Sequence, residues 1–325
     1  MKVCVYGAGA IGGHVAGHLA RAGRCEVAVV ARGEALAAIR ERGLRVVTPG
    51  GAFVTPVRAV ADAAELGQQD YVLIAVKAHQ VPAALDGLAG VIGPQTVIIP
   101  PTTGIPYYFF HDLEGPYRGR RLPGIDPGDR QWRAMPPAQV LGGVIWIGAH
   151  SIGPGAVQQD GARAGLPIGE LDGRPSARAQ AFSGLLTQSG IPAPVRANIR
   201  GEIWMKFANS LCWNPVAVLT LARMGQMEEA PGVVATVTRM MEEIDAVAHA
   251  LGLELPQPPA RRIATTLGAA AHKMSMLQDL EHGRPLELDP LIRSLRAVQA
   301  ITDLATPVLD AVLALVGLRA AIAAF

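Results

Sequence analysis

The sequence predicts an α/β fold class in which a doubly wound N-terminal domain (residues 1–195) is followed by an all-helical C-terminal domain (residues 196–325). Three observations carry this prediction. The chain opens with a β-rich run that enters a glycine turn and then a helical pattern. Apolar strands and helical stretches alternate through the first two hundred residues, as a parallel sheet with crossover helices requires. After about residue 195 the strand patterns cease and long helical ones take over. The 325 residues leave room for two domains with a core each.

Composition narrows the classes further. With 50% hydrophobic and 17% charged residues the chain is neither disordered nor a repeat fibre. Lys and Arg number 29 against 27 Asp and Glu, and the resulting charge of +2 creates no field that would draw nucleic acid or an anionic membrane, so neither partner is expected. Cys4, Cys25 and Cys212 form neither an even disulfide set nor a CxxC pair, and their apolar contexts suit buried free thiols in a reducing cytoplasm. The apolar run after Met1 is too short for a signal peptide, and no metal site is expected.

Taken in order, Val3 to Tyr6 reads as a strand entering Gly7-Ala8-Gly9-Ala10-Ile11-Gly12, with Ile11, Val15 and Leu19 at helical spacing beyond it. Such a turn suits a dinucleotide: Gly7 makes the bend, Gly9 lets backbone amides approach a pyrophosphate, and Gly12 lets helix and strand pack closely. Ala10 and Ile11 open the helix whose amino end faces the phosphates. The strand Glu26 to Val30 ends before Arg32, where an acidic residue would take the ribose 2′-hydroxyl of NAD. A guanidinium there suits a 2′-phosphate, which favours NADPH; the alternative is an ordinary solvated loop arginine.

Tyr71 to Val76 and Thr96 to Ile99 read as further strands, with a helix from Val81 to Val91 between them. Lys77 and Thr102-Thr103-Gly104 follow the strand ends, where ligands of such sheets sit, although an exposed lysine and turn-capping hydroxyls would look the same in sequence. His111 to Gln139 is a long aperiodic loop behind the aromatic run Tyr107-Tyr108-Phe109-Phe110, which predicts either a lid over the substrate or an anchor in the core. Val140 to Ile147 and Ala164 to Gly169 read as strands of an antiparallel extension of the sheet.

In the helical half, Asn198 to Thr220 is a helix with no charged residue from Phe207 onward. Lys206, Ser210 and Asn214 share one face of it at i, i+4 and i+8. A solvated face is the bland explanation, but such a face normally carries several charges. Ser275 to Asp279 and Leu286 to Pro290 form a second constellation, with Gly283 as a helix stop, Asp289 as N-cap before Pro290, and Glu287 just before the helix. Pro307 to Phe325 approaches the ~20 apolar residues of a membrane span. Asp310 and Arg319 interrupt it, and Thr306-Pro307 predicts a terminal amphipathic helix docked on its domain. So apolar a terminal helix also suggests a homodimer.

Together the glycine turn, Ala31-Arg32, Ala75-Val76-Lys77-Ala78, Asn198 to Phe207, Asn214-Pro215 and Ser275-Met276-Leu277-Gln278-Asp279 with Glu287 and Asp289 resemble the ketopantoate reductase (2-dehydropantoate 2-reductase) family over nearly the whole chain. The resemblance implies an NADPH-dependent reductase with a Rossmann-type N-terminal domain, a helical C-terminal domain and its active site in the cleft between them. It implies catalytic roles for Lys206, as general acid, and for Glu287, which would contact the reacting hydroxyl. It implies substrate binding by Thr103, Ser210, Asn214 and Ser275, and cofactor binding by Gly7, Gly9, Ala10, Ile11, Gly12, Arg32, Lys77 and Thr102.

Three departures bear on the substrate. Thr102-Thr103-Gly104 stands where the family has Gln-Asn-Gly, Ser210 stands where it has asparagine, with Asn209 displaced by one, and Ile292-Arg293 stands where Asn-Gly is expected. A site built to hydrogen-bond a hydroxyl discriminates by ~10⁴-fold against what it cannot satisfy. The expected substrate is therefore a 2-oxo acid with a bulkier or less polar side chain than ketopantoate. The alternatives are 2-dehydropantoate itself, an imine or secondary alcohol, or, in a non-enzyme, cofactor binding for regulation.

Overall fold

A computed structural model describes residues 1–101, 103–162 and 164–323. The N-terminal half runs β1 (Lys2–Tyr6), α1 (Ala10–Ala22), β2 (Glu26–Val30), α2 (Gly33–Arg42), β3 (Leu44–Thr48), β4 (Gly51–Thr55), β5 (Arg58–Val60), β6 (Tyr71–Ile74), α3 (Val81–Leu88), β7 (Val97–Ile99) and α4 (Arg130–Ala134). It continues with β8 (Gly142–Gly143), β9 (Ala149–Gly153), β10 (Ala156–Gln159), β11 (Ile168–Gly169) and α5 (Ala177–Gln188). The remainder is helical: α6 (Ile199–Thr220), α7 (Met224–Glu228), α8 (Pro231–Ala250), α9 (Pro259–Leu267), α10 (Ser275–Glu281), α11 (Leu288–Thr302) and α12 (Pro307–Ala323).

The central sheet has the order β5-β2-β1-β6-β7 and is parallel throughout, with Val3, Cys4 and Val5 wholly buried between two faces. Strand order reverses at β1, so the crevice beyond the carboxyl ends of β1 and β6 is the place where such sheets take ligands. On one face Val15 and Leu19 of α1 and Phe182 of α5 cover Val3, Val5 and Val29. On the other, the core passes from Cys4, Tyr6 and Val72 through Tyr107–Phe110 into Trp204, Phe207 and the helical domain.

Several expectations change in three dimensions. Val140 to Ile147 and Ala164 to Gly169 contribute only the two-residue strands β8 and β11, which pair with each other antiparallel and reach the central sheet through one Ile98–Val140 bridge. Gly142 and Gly143 pack their backbones against Ile199 and Ile99, where a side chain would crowd those isoleucines. A second sheet, β4-β3-β10-β9, lies across α1 and was not legible in the sequence. The run Tyr107–Phe110 is at most 3% exposed, which makes it a core anchor, and no residue from 111–139 lines the cleft described below. The buried Arg200 guanidinium holds the start of that loop by donating to the carbonyls of Phe109 (2.8 Å), His111 and Leu171. Cys4 and Cys212 are buried thiols, whereas Cys25 is only half-buried.

The terminal helix α12 docks as expected. Leu309, Leu313 and Val316 are buried, and both carboxylate oxygens of Glu243 on α8 accept backbone N–H groups of its first turn, from Val308 and Leu309, at 3.0 Å each. Among the described residues no helix is long and apolar enough to cross a membrane.

Candidate active site

The glycine turn shapes one wall of the site. Gly7 adopts φ +108°, and a β-carbon on Gly12 would lie 1.8 Å from the Gly7 carbonyl oxygen, so the turn admits no side chain at that point. At Gly9 the opposite holds, because a β-carbon there would meet nothing within 4 Å. Gly9 caps α1 without any side-chain hydrogen bond, and no acidic residue occupies the first turn. The helix therefore presents its amide donors and positive dipole end to open space, and a pyrophosphate fits that cradle. Ala10 and Ile11 line the same space, while Gly12 sits behind it.

Arg32 is exposed at the rim, at the extended N-cap of α2, and among the described residues no carboxylate pairs with it. Its guanidinium faces the Tyr6 hydroxyl and opposes the upward push that burial gives that phenol. Lys77 follows β6 and reaches across the cleft to Asp279 of α10, Nζ to Oδ2 at 3.1 Å. Asp279 also pairs with Arg284 at 2.9 Å. Thr102 lies outside the described residues.

The facing wall comes from the helical domain. Lys206 projects from α6 into the cleft with Trp146 over its ammonium, Nζ to ring centroid 4.7 Å. Burial pulls Lys206 below the ordinary lysine range, and the Glu287 carboxylate opposes that shift. Glu287 is itself the N-cap of α11, one position before Leu288, so the helix starts two residues earlier than the Asp289-Pro290 pair suggests. Asp289 instead lies exposed in the first turn, paired with Arg293 at 2.8 Å. The Thr103 hydroxyl is 3.5 Å from Glu287 Oε2, at the outer limit of a hydrogen bond.

Asn214 has a more constrained place than its position on the helix suggests. Its side-chain oxygen accepts from Ser275 Oγ (3.3 Å) and from the Met276 backbone N–H (3.1 Å), and its amide donates to the Ser210 carbonyl at 3.2 Å. It thus fastens the first turn of α10 to α6, and it places Ser275 beside the Lys206–Ser210 face. Asn209 accepts from Thr266 Oγ1 at 3.1 Å and lines the cleft as well.

Two groups were missed in sequence because nothing in their spacing marks them. Trp146 lies in the irregular segment between β8 and β9, and His272 lies in the connection before α10. Burial lowers the His272 imidazole below its ordinary range, with Asp160 opposing and Lys206 reinforcing that shift. Only the folded chain brings either of them to the lysine.

Gly9, Arg32, Lys77, Trp146, Lys206 and Glu287 border one continuous cleft of about 2020 Å³ between the two domains. That exceeds the ~300–1,000 Å³ of a typical small-ligand pocket and has room for a dinucleotide and a second, smaller molecule. A parallel sheet with its glycine cradle at the strand-order reversal, faced by a lysine and a carboxylate from a helical domain, defines a dinucleotide-dependent oxidoreductase.

Sequence comparison places the chain within that class. The description Ketopantoate reductase PanE/ApbA matches residues 3–173, and its C-terminal counterpart matches residues 198–320. The chain belongs to this ketopantoate reductase family; it is an oxidoreductase acting on a carbonyl, and NADPH is the family's cofactor. It is 41% identical over 317 residues to a 2-dehydropantoate 2-reductase of Mesorhizobium japonicum, covering 97% of each chain. Among solved structures it superposes on a putative ketopantoate reductase from Ralstonia solanacearum MolK2 with a TM-score of 0.90 at 36% identity, over 99% of this chain and 98% of that one. A D-mandelate dehydrogenase solved with NADH and anilino(oxo)acetate shares the fold, with a TM-score of 0.84 at 22% identity over the full length of both chains.

Proposed function

We propose that the protein is an NADPH-dependent reductase of a 2-oxo acid whose side chain is bulkier or less polar than that of ketopantoate, with Lys206 as general acid. The observation that carries this reading is the meeting of Lys206 and Glu287 in the same cleft as the Gly9 cradle. The cofactor, when bound, supplies hydride to the carbonyl carbon. Lys206 Nζ gives a proton to the carbonyl oxygen as it becomes a hydroxyl, and its positive charge favours the alkoxide character that precedes transfer. Glu287 keeps the lysine protonated and accepts from the new hydroxyl. Ser275, at the amino end of α10, turns its hydroxyl from Asn214 to the substrate carboxylate, while the Met276 N–H keeps Asn214 in place, and Ser210 and Thr103 leave more space than asparagines would. Ala10, Ile11, Gly7 and Gly9 form the phosphate wall, with Gly12 holding the turn closed behind them. Arg32 takes the 2′-phosphate, and Lys77 exchanges Asp279 for the bound nucleotide. Asn214 acts by holding the first turn of α10, and with it Ser275, through the Met276 N–H. We place the domain division at residues 195 and 196, between the Val195 bridge to β11 and the Asn198 cap of α6.

Turnover of NADPH against ketopantoate and against branched and aromatic 2-oxo acids tests the substrate, and ketopantoate turned over as well as any other rejects the specificity argued here. That outcome is the second reading, reduction of 2-dehydropantoate, which the 41% identical relative favours. Lys206→Ala should lower kcat by ~10²-fold or more, and a variant that keeps most of its kcat rejects the general-acid role. Arg32→Gln should weaken NADPH more than NADH; equal effects in a fluorescence titration reject the 2′-phosphate role. A homodimer through α12 is supported by Leu315, Leu318 and Ile322, which are 59%, 63% and 64% exposed along one stripe. A monomer mass by sedimentation at working concentration excludes it.

A further inference from the structure

We propose that Trp146, braced by Glu202, is a positioning residue for Lys206: its indole face covers the ammonium and holds it, charged, at the point where a substrate oxygen must lie. This inference rests on the general-acid reading of Lys206. The lysine stem has four rotatable bonds and opens onto a cleft of about 2020 Å³, so proximity alone would leave Nζ free to sample many places. The Trp146 ring, with its centroid 4.7 Å from Nζ, is within the ~6 Å over which an aromatic face attracts a cation.

The ring is held in turn. The backbone of its segment is fixed by Val144 N–H to the Pro167 carbonyl (3.0 Å) and Trp146 N–H to the Gly165 carbonyl (2.9 Å). Its indole N–H faces the carboxylate of Glu202, which lies four residues before Lys206 on α6 and is anchored by Arg196 at 3.4 Å. One helix thus supplies both the lysine and the brace for the ring that covers it. The charged and titratable groups around Lys206 are Glu287 from the start of α11, His272 with Asp160 behind it, and Glu202 from α6 itself. Burial and a protonated His272 would favour the neutral amine, while Glu287 and the indole face favour the ammonium.

The test compares wild type, Trp146→Leu, Trp146→Phe and Glu202→Ala on the best 2-oxo acid, with folding checked by thermal unfolding and by cofactor titration. Trp146→Leu should lower kcat about tenfold and move the alkaline limb of its pH profile down by ~0.5–1 pH unit, with cofactor affinity unchanged. Trp146→Phe should recover part of both losses, because a phenyl face still attracts the cation. Glu202→Ala should lower kcat severalfold by loosening the ring. An unmoved limb with kcat within twofold of wild type in Trp146→Leu overturns the proposal, as does Trp146→Phe behaving no better than Trp146→Leu. A Lys206→Ala enzyme that keeps its kcat defeats the general-acid reading; a Lys206-dependent rate that ignores Trp146 defeats this inference alone.

Discussion

Burial draws Lys206 toward its neutral form and the Glu287 carboxylate draws it back. In Glu287→Gln that counterweight disappears. The alkaline limb of kcat should move to lower pH, and an unmoved limb would show that Glu287 acts on substrate only. His14 presents the opposite case, a titratable group away from the chemistry. It is wholly buried on α1, hydrogen-bonded to Gln159 at 2.9 Å, and burial pulls its imidazole down to about 4 from an ordinary 6.5. Between those two values the unfolded chain binds a proton that the folded chain refuses, so stability falls as pH falls through that window, by up to ~3 kcal/mol. Urea unfolding at pH 7 and pH 4.5 should show a smaller pH effect in His14→Gln than in wild type; equal effects would absolve His14.

Among the elements, the glycine turn gives the sharpest contrast. Gly12→Ala forces a β-carbon into the Gly7 carbonyl and should destabilise the fold, whereas Gly9→Ala meets nothing in the protein and should melt normally while binding cofactor weakly. Thermal unfolding with a cofactor titration separates the two, and a Gly9→Ala protein of undiminished affinity would remove the phosphate from that cradle. The turn was legible because strand, glycine spacing and helix follow one another without a break from Lys2 to Ala22. The α6 face was legible for the same reason, since Lys206, Ser210 and Asn214 depend on one local period. Tyr107–Phe110 were not, because an aromatic run looks alike whether it anchors a core or covers a substrate, and only the packing of Phe109 on Trp204 decides. Val140 to Ile147 and Ala164 to Gly169 read as full strands because their apolar runs suit one, whereas only Gly142–Gly143 and Ile168–Gly169 pair, and the length of a ladder depends on its partner.

For the whole molecule the question is how the two domains are fastened around the cleft. Ser294 of α11 accepts from the Ile105 N–H at 2.8 Å and donates to the Pro290 carbonyl at 2.7 Å, a buried link between the halves. Ser294→Ala should cost ~1–3 kcal/mol in denaturant unfolding because it strands a buried N–H; no loss would mean that another group accepts that hydrogen bond. Lys77 and Asp279 span the same gap, but with Lys77 partly exposed the pair should add less than ~1 kcal/mol.

By itself the sequence determined the fold class, the glycine turn between β1 and α1, the place of Arg32 directly after β2 and the polar face of α6, because each is written in local spacing along one or two elements. The tertiary structure alone decided that Trp146 covers Lys206, that His272 and Glu287 face it, that Asn214 is occupied in holding Ser275, and that the aromatic run is core. Those relations join residues far apart in sequence, and no period along the chain records a contact that forms only when two domains close on one cleft.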